Sequence, residues 1–271
     1  MPTSLQNVGR QADLLAQAVQ VACVLEVTAA KPGNITPAHD FADTTYADMI
    51  RAGLALGPVL GRAGERRVGE LILDGVRASA RVASANTNLG IVLLLTPLAR
   101  AAATGVPVER VLAGLDVEDA TAAFTAIAEA RPGGLGDAAE HDVREPARVG
   151  LREAMAAAAD RDSVASEYAT GYAIVQGTAL PLLRAELAGG ARMLDAIVTL
   201  HVALLAAVPD TLIARKAGRE AAEAVTAAAR EVRAGQRSPA DLDAMLRADG
   251  NRLNPGTTAD LVCATLFANE L

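Results

Sequence analysis

The sequence predicts an all-α fold: a single compact domain of roughly ten helices around an apolar central helix. Three observations carry that expectation. Apolar residues make up 51% of the 271 residues, yet aromatics are only 2% and tryptophan is absent, so the core is built from Ala, Leu, Val and Ile. Small aliphatic side chains of that kind suit closely packed helices. Apolar positions recur at helical spacing along most of the chain, and no convincing run alternates as a half-buried strand would. A chain of this length buries a sizeable core without staples. No repeat or linker divides it, so residues 1–271 read as one domain.

The elements follow in order. Over residues 4–27, Leu15, Val19, Ala22 and Glu26 fall four, three and four apart, which is one face of a helix. Glu26 therefore extends an apolar stripe. A carboxylate there is either paired at the rim of the core or aimed into a site, because burying it unpaired is costly. A helix over 45–60 is entered through Asp43 or Thr44, with Thr45 and Asp48 at capping-box spacing. Helices are expected over 68–84 and 88–103, the second kinked or broken by Pro97. Gly105-Val106-Pro107 makes a turn, and Asp116 caps a helix reaching Ala130. Residues 131–148 form a long irregular segment, rich in glycine and carrying His141 and Asp142, of the length that often serves as a lid. A helix over 163–187, interrupted near Pro181, precedes the nearly all-apolar 192–208, the candidate central helix. Another helix spans 214–234. Ser238-Pro239-Ala240-Asp241 opens the next with a serine cap and proline in the first turn. The last begins near Thr257 or Thr258, after Asn254-Pro255-Gly256.

Charge and cysteine usage narrow the function classes. A net charge of −7 argues against a nucleic-acid partner, which wants a basic face. A small polyanion stays compatible, because the local charge of a pocket can oppose the global sign. Cys23 and Cys263, each inside an apolar helical pattern, read as buried free thiols with no metal-ligand spacing. The N-terminus lacks the pattern of a signal peptide. The longest apolar stretch, 196–208, contains Thr199 and His201 and is too short to span a bilayer. The expectation is a cytoplasmic, soluble protein with no membrane partner.

The rare polar residues gather at helix junctions. Only Lys31 and Lys216 among the 25 basic residues are lysine, which suggests sites wanting a compact ammonium rather than a planar fork. Between residues 26 and 43, Glu26, Lys31, Gly33, Asn34, His39, Asp40 and Asp43 crowd one turn-rich break, a place to hold an anionic substrate. Five of the seven asparagines lie at three breaks: Asn34, the Asn86-Thr87-Asn88 step, and Asn251 to Asn254. His201, inside an apolar helix, reads as a core residue. Each break precedes a helix, and helix N-termini carry unpaired N–H groups and the positive end of the macrodipole. Thr87-Asn88-Leu89-Gly90 and Pro255-Gly256-Thr257-Thr258 have this form, and glycine there lets backbone approach a phosphate. Asp210 begins a segment in which Arg215 and Lys216 lie too deep to be caps. Mg²⁺ bound with a polyphosphate is held by one or two carboxylates plus phosphate oxygens and water. Asp40, Asp43, Asp210 and Asp260 are the candidates.

Taken in order, E-x4-K-P-G at 26–33, A-H-D at 38–40, T-N-x-G at 87–90, D-T-L-I-A-R-K-A-G from Asp210, and N-P-G-T-T-A-D-L at 254–261 form a recognisable set. Together they resemble the triphosphoribosyl-dephospho-CoA synthase family over nearly the whole chain. The resemblance implies an all-helical enzyme that transfers the triphosphoribosyl group of ATP to the 2′-hydroxyl of dephospho-CoA with release of adenine. On that reading Glu26, His39 and Asp40 share the catalytic roles. Lys31, Gly33, Asn34, Thr87, Asn88, Gly90, Arg215, Lys216, Gly256 and Thr257 hold the nucleotide, and Asp43, Asp210 and Asp260 hold Mg²⁺. ATP and a phosphorylated acceptor such as dephospho-CoA are the implied partners, with a homodimer as the candidate assembly. Two departures stand out: Leu89-Gly90 lacks the His-Lys pair of the family's T-N-T-H-K-G, and Leu212 replaces a usual asparagine. The chain is in this respect similar to a divergent branch associated with pterin-type C1 cofactor synthesis. A diverged enzyme on another phosphorylated nucleotide or pterin precursor, and a non-catalytic helical binding protein, are the alternatives.

Overall fold

Two long helices, buried along most of their length, organise the molecule. The computed structural model describes residues 2–83, 88–131 and 142–271, with side chains from residue 9 onward. Among them are fourteen α-helices, one π-helical turn and no strand, only an isolated bridge between Thr36 and His39. The helices are α1 (Pro2–Thr28), α2 (Tyr46–Leu60), α3 (Val68–Ala80), α4 (Leu89–Thr104), α5 (Val108–Ala113), α6 (Val117–Ala130), α7 (Leu151–Ala156), α8 (Ser163–Thr170), α9 (Leu180–Ala188), α10 (Met193–Ala207), α11 (Thr211–Ala217), α12 (Arg219–Arg233), α13 (Pro239–Arg247) and α14 (Gly256–Glu270).

The excess over ten has local causes. Residues 163–187 break at Gly171-Tyr172, not at Pro181, because both adopt left-handed φ values of 72° and 65°. The buried Glu167 carboxylate then accepts from the N–H groups of Ile174 and Val175, each at 2.9 Å, and restarts the chain as a π-turn over Val175–Ala179. Pro181, with no N–H to give, sits in the first turn of α9. The expected 214–234 helix is likewise two, split at Gly218, whose φ of 94° is open to glycine but disfavoured for other residues. The short α5 and α7 carried too few apolar positions to show a period.

Pro97 neither ends nor replaces a helix: α4 runs through it. A proline at that position leaves the Leu93 carbonyl without its helical partner. The Tyr168 hydroxyl donates to that carbonyl at 2.7 Å, and the Tyr172 hydroxyl donates to the Leu94 carbonyl at 2.6 Å. The scarce aromatics are thus used where an apolar body must also carry a hydroxyl to a buried acceptor. The entrance of α2 is capped by Thr45, not by the expected Asp43 or Thr44, in a reciprocal capping box with Asp48. That box has the predicted spacing, and the caps predicted at Asp116 and Ser238 form as well, each in a reciprocal box.

Packing divides into a large core and a smaller one. The expected central helix, α10, serves both: Ile197, Leu200 and Leu204 belong to the large core, while Val202, Leu205 and Ala206 join Ile213, Val225, Leu242 and Leu246 in the small one. A second central helix, α14, was not singled out in the sequence. It packs against α1, α4, α8, α9, α10 and α11 and buries ten of its residues, Thr257–Ala259 and Leu261–Phe267. Among the described residues no single helix is long and apolar enough to cross a membrane. The site described next lies where the start of α14 meets the seam between the two cores.

Candidate functional site

The K-P-G-N turn after α1 is fixed from three sides. Lys31 Nζ lies 2.9 Å from Glu26 Oε1 and also donates to the Glu26 backbone carbonyl. Both side chains are buried, Lys31 completely. An ammonium taken out of water survives only with a charged, hydrogen-bonded partner, and Glu26, one turn back on α1, supplies it. From α10, His201 Nε2 lies 3.2 Å from the Pro32 carbonyl, so Nε2 is the N–H donor and Nδ1 carries the lone pair. Burial, aided by the Lys31 ammonium, pushes the His201 pKa down to about 3, and the imidazole is neutral at pH 7. Its Nδ1 has no partner among the described residues.

Gly33 has a φ of 78°, and a Cβ there would stand 2.8 Å from Leu246 and 2.9 Å from Pro255. Its N–H donates to Asp243 Oδ1 at 2.8 Å. Asn34 Nδ2 donates to Asn254 Oδ1 at 2.8 Å, while the Arg247 guanidinium donates to the Asn34 carbonyl at 2.7 Å. The turn is thereby joined to α13 and to the Asn254-Pro255 segment that launches α14.

Three helix starts are tied together beside it. Asp210 caps α11 through Oδ1, accepting from Leu212 and Ile213 N–H at 2.9 and 3.0 Å. Its Oδ2 accepts from the Thr258 N–H at 2.7 Å and the Thr258 hydroxyl at 2.8 Å. Asp162 caps α8 with Oδ1 and holds Arg215 of α11 with Oδ2. The Thr211 hydroxyl donates to Thr257 Oγ1 at 3.2 Å and accepts from the Ser163 N–H at 3.3 Å.

Asp260, one turn into α14, is the group left over. It is half-buried and makes no hydrogen bond or ion pair among the described residues. Its carboxylate lies on the first turn of α4, where a Cβ on Gly90 would be 2.0 Å from Oδ2. Asn88, its N-cap residue, gives that helix start no side-chain cap hydrogen bond. Burial, then the negative fields of Glu26, Asp210 and Asp162, push the Asp260 carboxyl well above the ordinary range, with Arg215 opposing them. Five far-separated segments therefore meet around one carboxylate: the ends of α1 and the starts of α4, α8, α11 and α14.

Several expected roles change with this geometry. Lys31 is enclosed and paired, so it does not present its ammonium to a ligand. Asp210 has every acceptor position filled by helix N–H groups and Thr258. Asp43 is exposed, with Oδ1 accepting from the Thr44 hydroxyl at 3.3 Å. No group of three or more His, Cys, Asp or Glu among the described residues has metal-holding geometry, so Asp43, Asp210 and Asp260 do not form a shared metal site. Gly256 lies beneath Leu212, where a Cβ would be 2.6 Å from Cδ2, and Thr257 is buried, so that turn is packed rather than open. Asp40 Oδ1 accepts from the Tyr46 N–H at 2.6 Å at the entrance to α2. His39 and Asp40 are exposed. Burial pushes the Asp243 carboxyl up, but hydrogen bonds from Arg247 and the Gly33 N–H outweigh it, with help from the charges of Arg247 and His39. Asn88 is buried at the start of α4, and Lys216 is half-buried on α11 with no ion pair among the described residues. Thr87 and His141, with most of the expected lid, lie outside the described residues.

Sequence reasoning passed over Asp162 and Asp243 and left His201 to the core. Asp162-Ser163 is an N-cap signal of the kind read elsewhere, but its second oxygen on Arg215 is a tertiary contact. Cys23 and Cys263 are free and buried as expected, and the fold brings their Sγ atoms to 3.8 Å.

The CitG family, described as ATP:dephospho-CoA triphosphoribosyl transferase, matches residues 12–271. The chain belongs to this family. It is accordingly an ATP-dependent triphosphoribosyl transferase. The fold is similar to a crystal structure from Archaeoglobus fulgidus provisionally described as a triphosphoribosyl-dephospho-CoA synthase. That structure has 26% identity and a TM-score of 0.64, with 80% of this chain and 95% of that one covered. No curated protein matches the chain.

Proposed function

We propose that the transfer takes place at Asp260, with the ATP triphosphate directed to the start of α4 and the ribose over the Asp260 carboxylate. The observation that supports this is the unpartnered, half-buried carboxylate at the meeting point of five chain segments. A carboxylate held there against its neighbours' charge is arranged to stabilise positive charge nearby. Displacement at an anomeric carbon builds such charge, since the C1′–N bond to adenine lengthens before the new C–O bond is complete. The 2′-hydroxyl of dephospho-CoA attacks C1′, the C1′–N bond breaks, and the hydroxyl proton ends on the departing adenine.

For that proton the chain offers His39. Glu26 is committed to Lys31 and Asp40 to the Tyr46 N–H, whereas the His39 imidazole is exposed. Such a relay contributes typically 10²–10⁴-fold. Arg215, held by Asp162, and Lys216 supply the cations nearest α11 for phosphate oxygens.

Mg²⁺ is part of the same proposal. A polyphosphate-bound ion needs only one or two carboxylates, and Asp260 offers one whose crowding by Glu26, Asp162 and Asp210 a cation relieves. Held there, the ion would supply charge neutralisation on the phosphate oxygens. A cytoplasmic location and a homodimer complete the reading. The experiment is to incubate the purified protein with ATP and Mg²⁺, with and without dephospho-CoA, and measure free adenine. Adenine appearing only with dephospho-CoA is the expected result; none with the acceptor present defeats the proposal.

A further inference from the structure

We infer that the cleft between α3 and α6 is the acceptor subsite, which takes the phosphorylated, nucleotide-bearing end of dephospho-CoA. The inference rests on the functional reading above and adds where the second substrate lies.

The cleft has a volume of about 1020 Å³, and its lining includes Arg77, Ser79, Asn88, Phe124, Thr125 and Arg131. Pockets that enclose small molecules run to roughly 1,000 Å³, so this one is large enough for an elongated nucleotide. Three features suit that occupant. Arg131 stands at the C-terminus of α6 with a φ of 46° and no ion-pair partner among the described residues. The left-handed conformation is the cap that ends α6, the Arg131 N–H donating to the Ile127 carbonyl. Arg77, by contrast, is fixed by Glu129 in a two-pronged pair at 2.9 and 2.6 Å and forms a rigid wall. Ser79 is buried, and its hydroxyl has no hydrogen-bond partner among the described residues. A buried polar group in that state ordinarily awaits a ligand or water. The Phe124 ring and its aliphatic neighbours offer the apolar surface that a base or a pantetheine arm needs.

Position makes the cleft an acceptor site rather than an unrelated hollow. Asn88 and Leu89 line it, and Gly90, the next residue, touches Asp260. The start of α4 is therefore a shared rim. A sugar above Asp260 and a nucleotide in the cleft would meet across one helical turn, as a hydroxyl attacking C1′ requires.

Steady-state kinetics with ATP and dephospho-CoA test this in the full-length protein through Arg131→Ala and Thr125→Trp. Arg131 and Thr125 are both exposed on the cleft, so neither change disturbs the core. Each variant is expected to raise the KM for dephospho-CoA about tenfold or more, the loss of one charged contact or of the room itself. The KM for ATP should stay within about twofold in both. Should Thr125→Trp fail to fold, Arg131→Ala decides alone. An active wild type with unshifted acceptor KM values overturns the cleft assignment and leaves the functional reading standing. A wild type that releases no adenine with dephospho-CoA overturns that reading instead.

Discussion

Gly90 and Asp260 touch across two helices that lie 170 residues apart in the chain: the carboxylate rests where a Cβ on residue 90 would be 2.0 Å away. The contact fixes the direction of the one unpartnered acid in the site and brings it against the positive end of α4. Gly90→Ala should swing the carboxylate aside without disturbing the core, because the displaced atoms are the end of a side chain. We expect kcat for adenine release to fall about a hundredfold or more, as misplacement of about 1 Å does, with the melting temperature nearly unchanged. A variant of full activity removes Asp260 from its proposed place.

Asp260→Asn should lose about 10²–10³ in kcat, the usual cost of removing one preorganised electrostatic contact. It also has a signature in stability. The folded carboxyl is raised above its ordinary value of 3.8 by burial and by Glu26, Asp210 and Asp162. Between the unfolded and folded values the native state keeps a proton that the unfolded chain has lost. Stability therefore falls as pH rises through that window and levels off above the folded value. Thermal melts from pH 4 to 8 should show this fall in the wild type. It should be smaller in Asp260→Asn, where Asp210 and Glu167, also raised by burial, still contribute, and that variant is expected to be at least as stable as wild type at neutral pH.

The buried Glu26–Lys31 pair holds the turn rather than the substrate. Glu26→Gln or Lys31→Met alone leaves an uncompensated buried charge and should cost about 3–5 kcal/mol by denaturant unfolding. The double variant Glu26→Gln with Lys31→Met should recover much of that loss, since both charges are gone. Single variants within about 1 kcal/mol of wild type contradict the burial of the pair.

Tyr168→Phe should cost about 1–3 kcal/mol, the penalty of leaving the Leu93 carbonyl buried without a donor. Tyr172→Phe should act similarly through Leu94. If Pro97 had broken α4, neither hydroxyl would matter, so urea unfolding of the two variants tests the continuous helix directly.

Local chemistry decided what could be read early. The all-α class, the Thr45–Asp48 box, the caps at Asp116 and Ser238, and the apolar α10 depend on neighbours within a turn or two, and each was visible as spacing or as a cap. The ordered motifs gave the family, which the match over residues 12–271 bears out. Individual roles were less legible. Lys31 and Asp210 stood out as rare polar residues at breaks, but whether a charge faces a ligand or a protein partner depends on what packs against it from elsewhere.

The sequence by itself determined the helices, their caps and the segments that carry polar groups, because hydrogen bonding within a helix and apolar periodicity are set by residues close in the chain. Tertiary structure alone decided that Lys31 is enclosed by Glu26, that Asp210 spends both oxygens on two helix starts, and that Asp260 is left without a partner. Burial and pairing are properties of the space around a charge, and residues from α1, α4, α8, α11 and α14 fill that space only once the chain has folded.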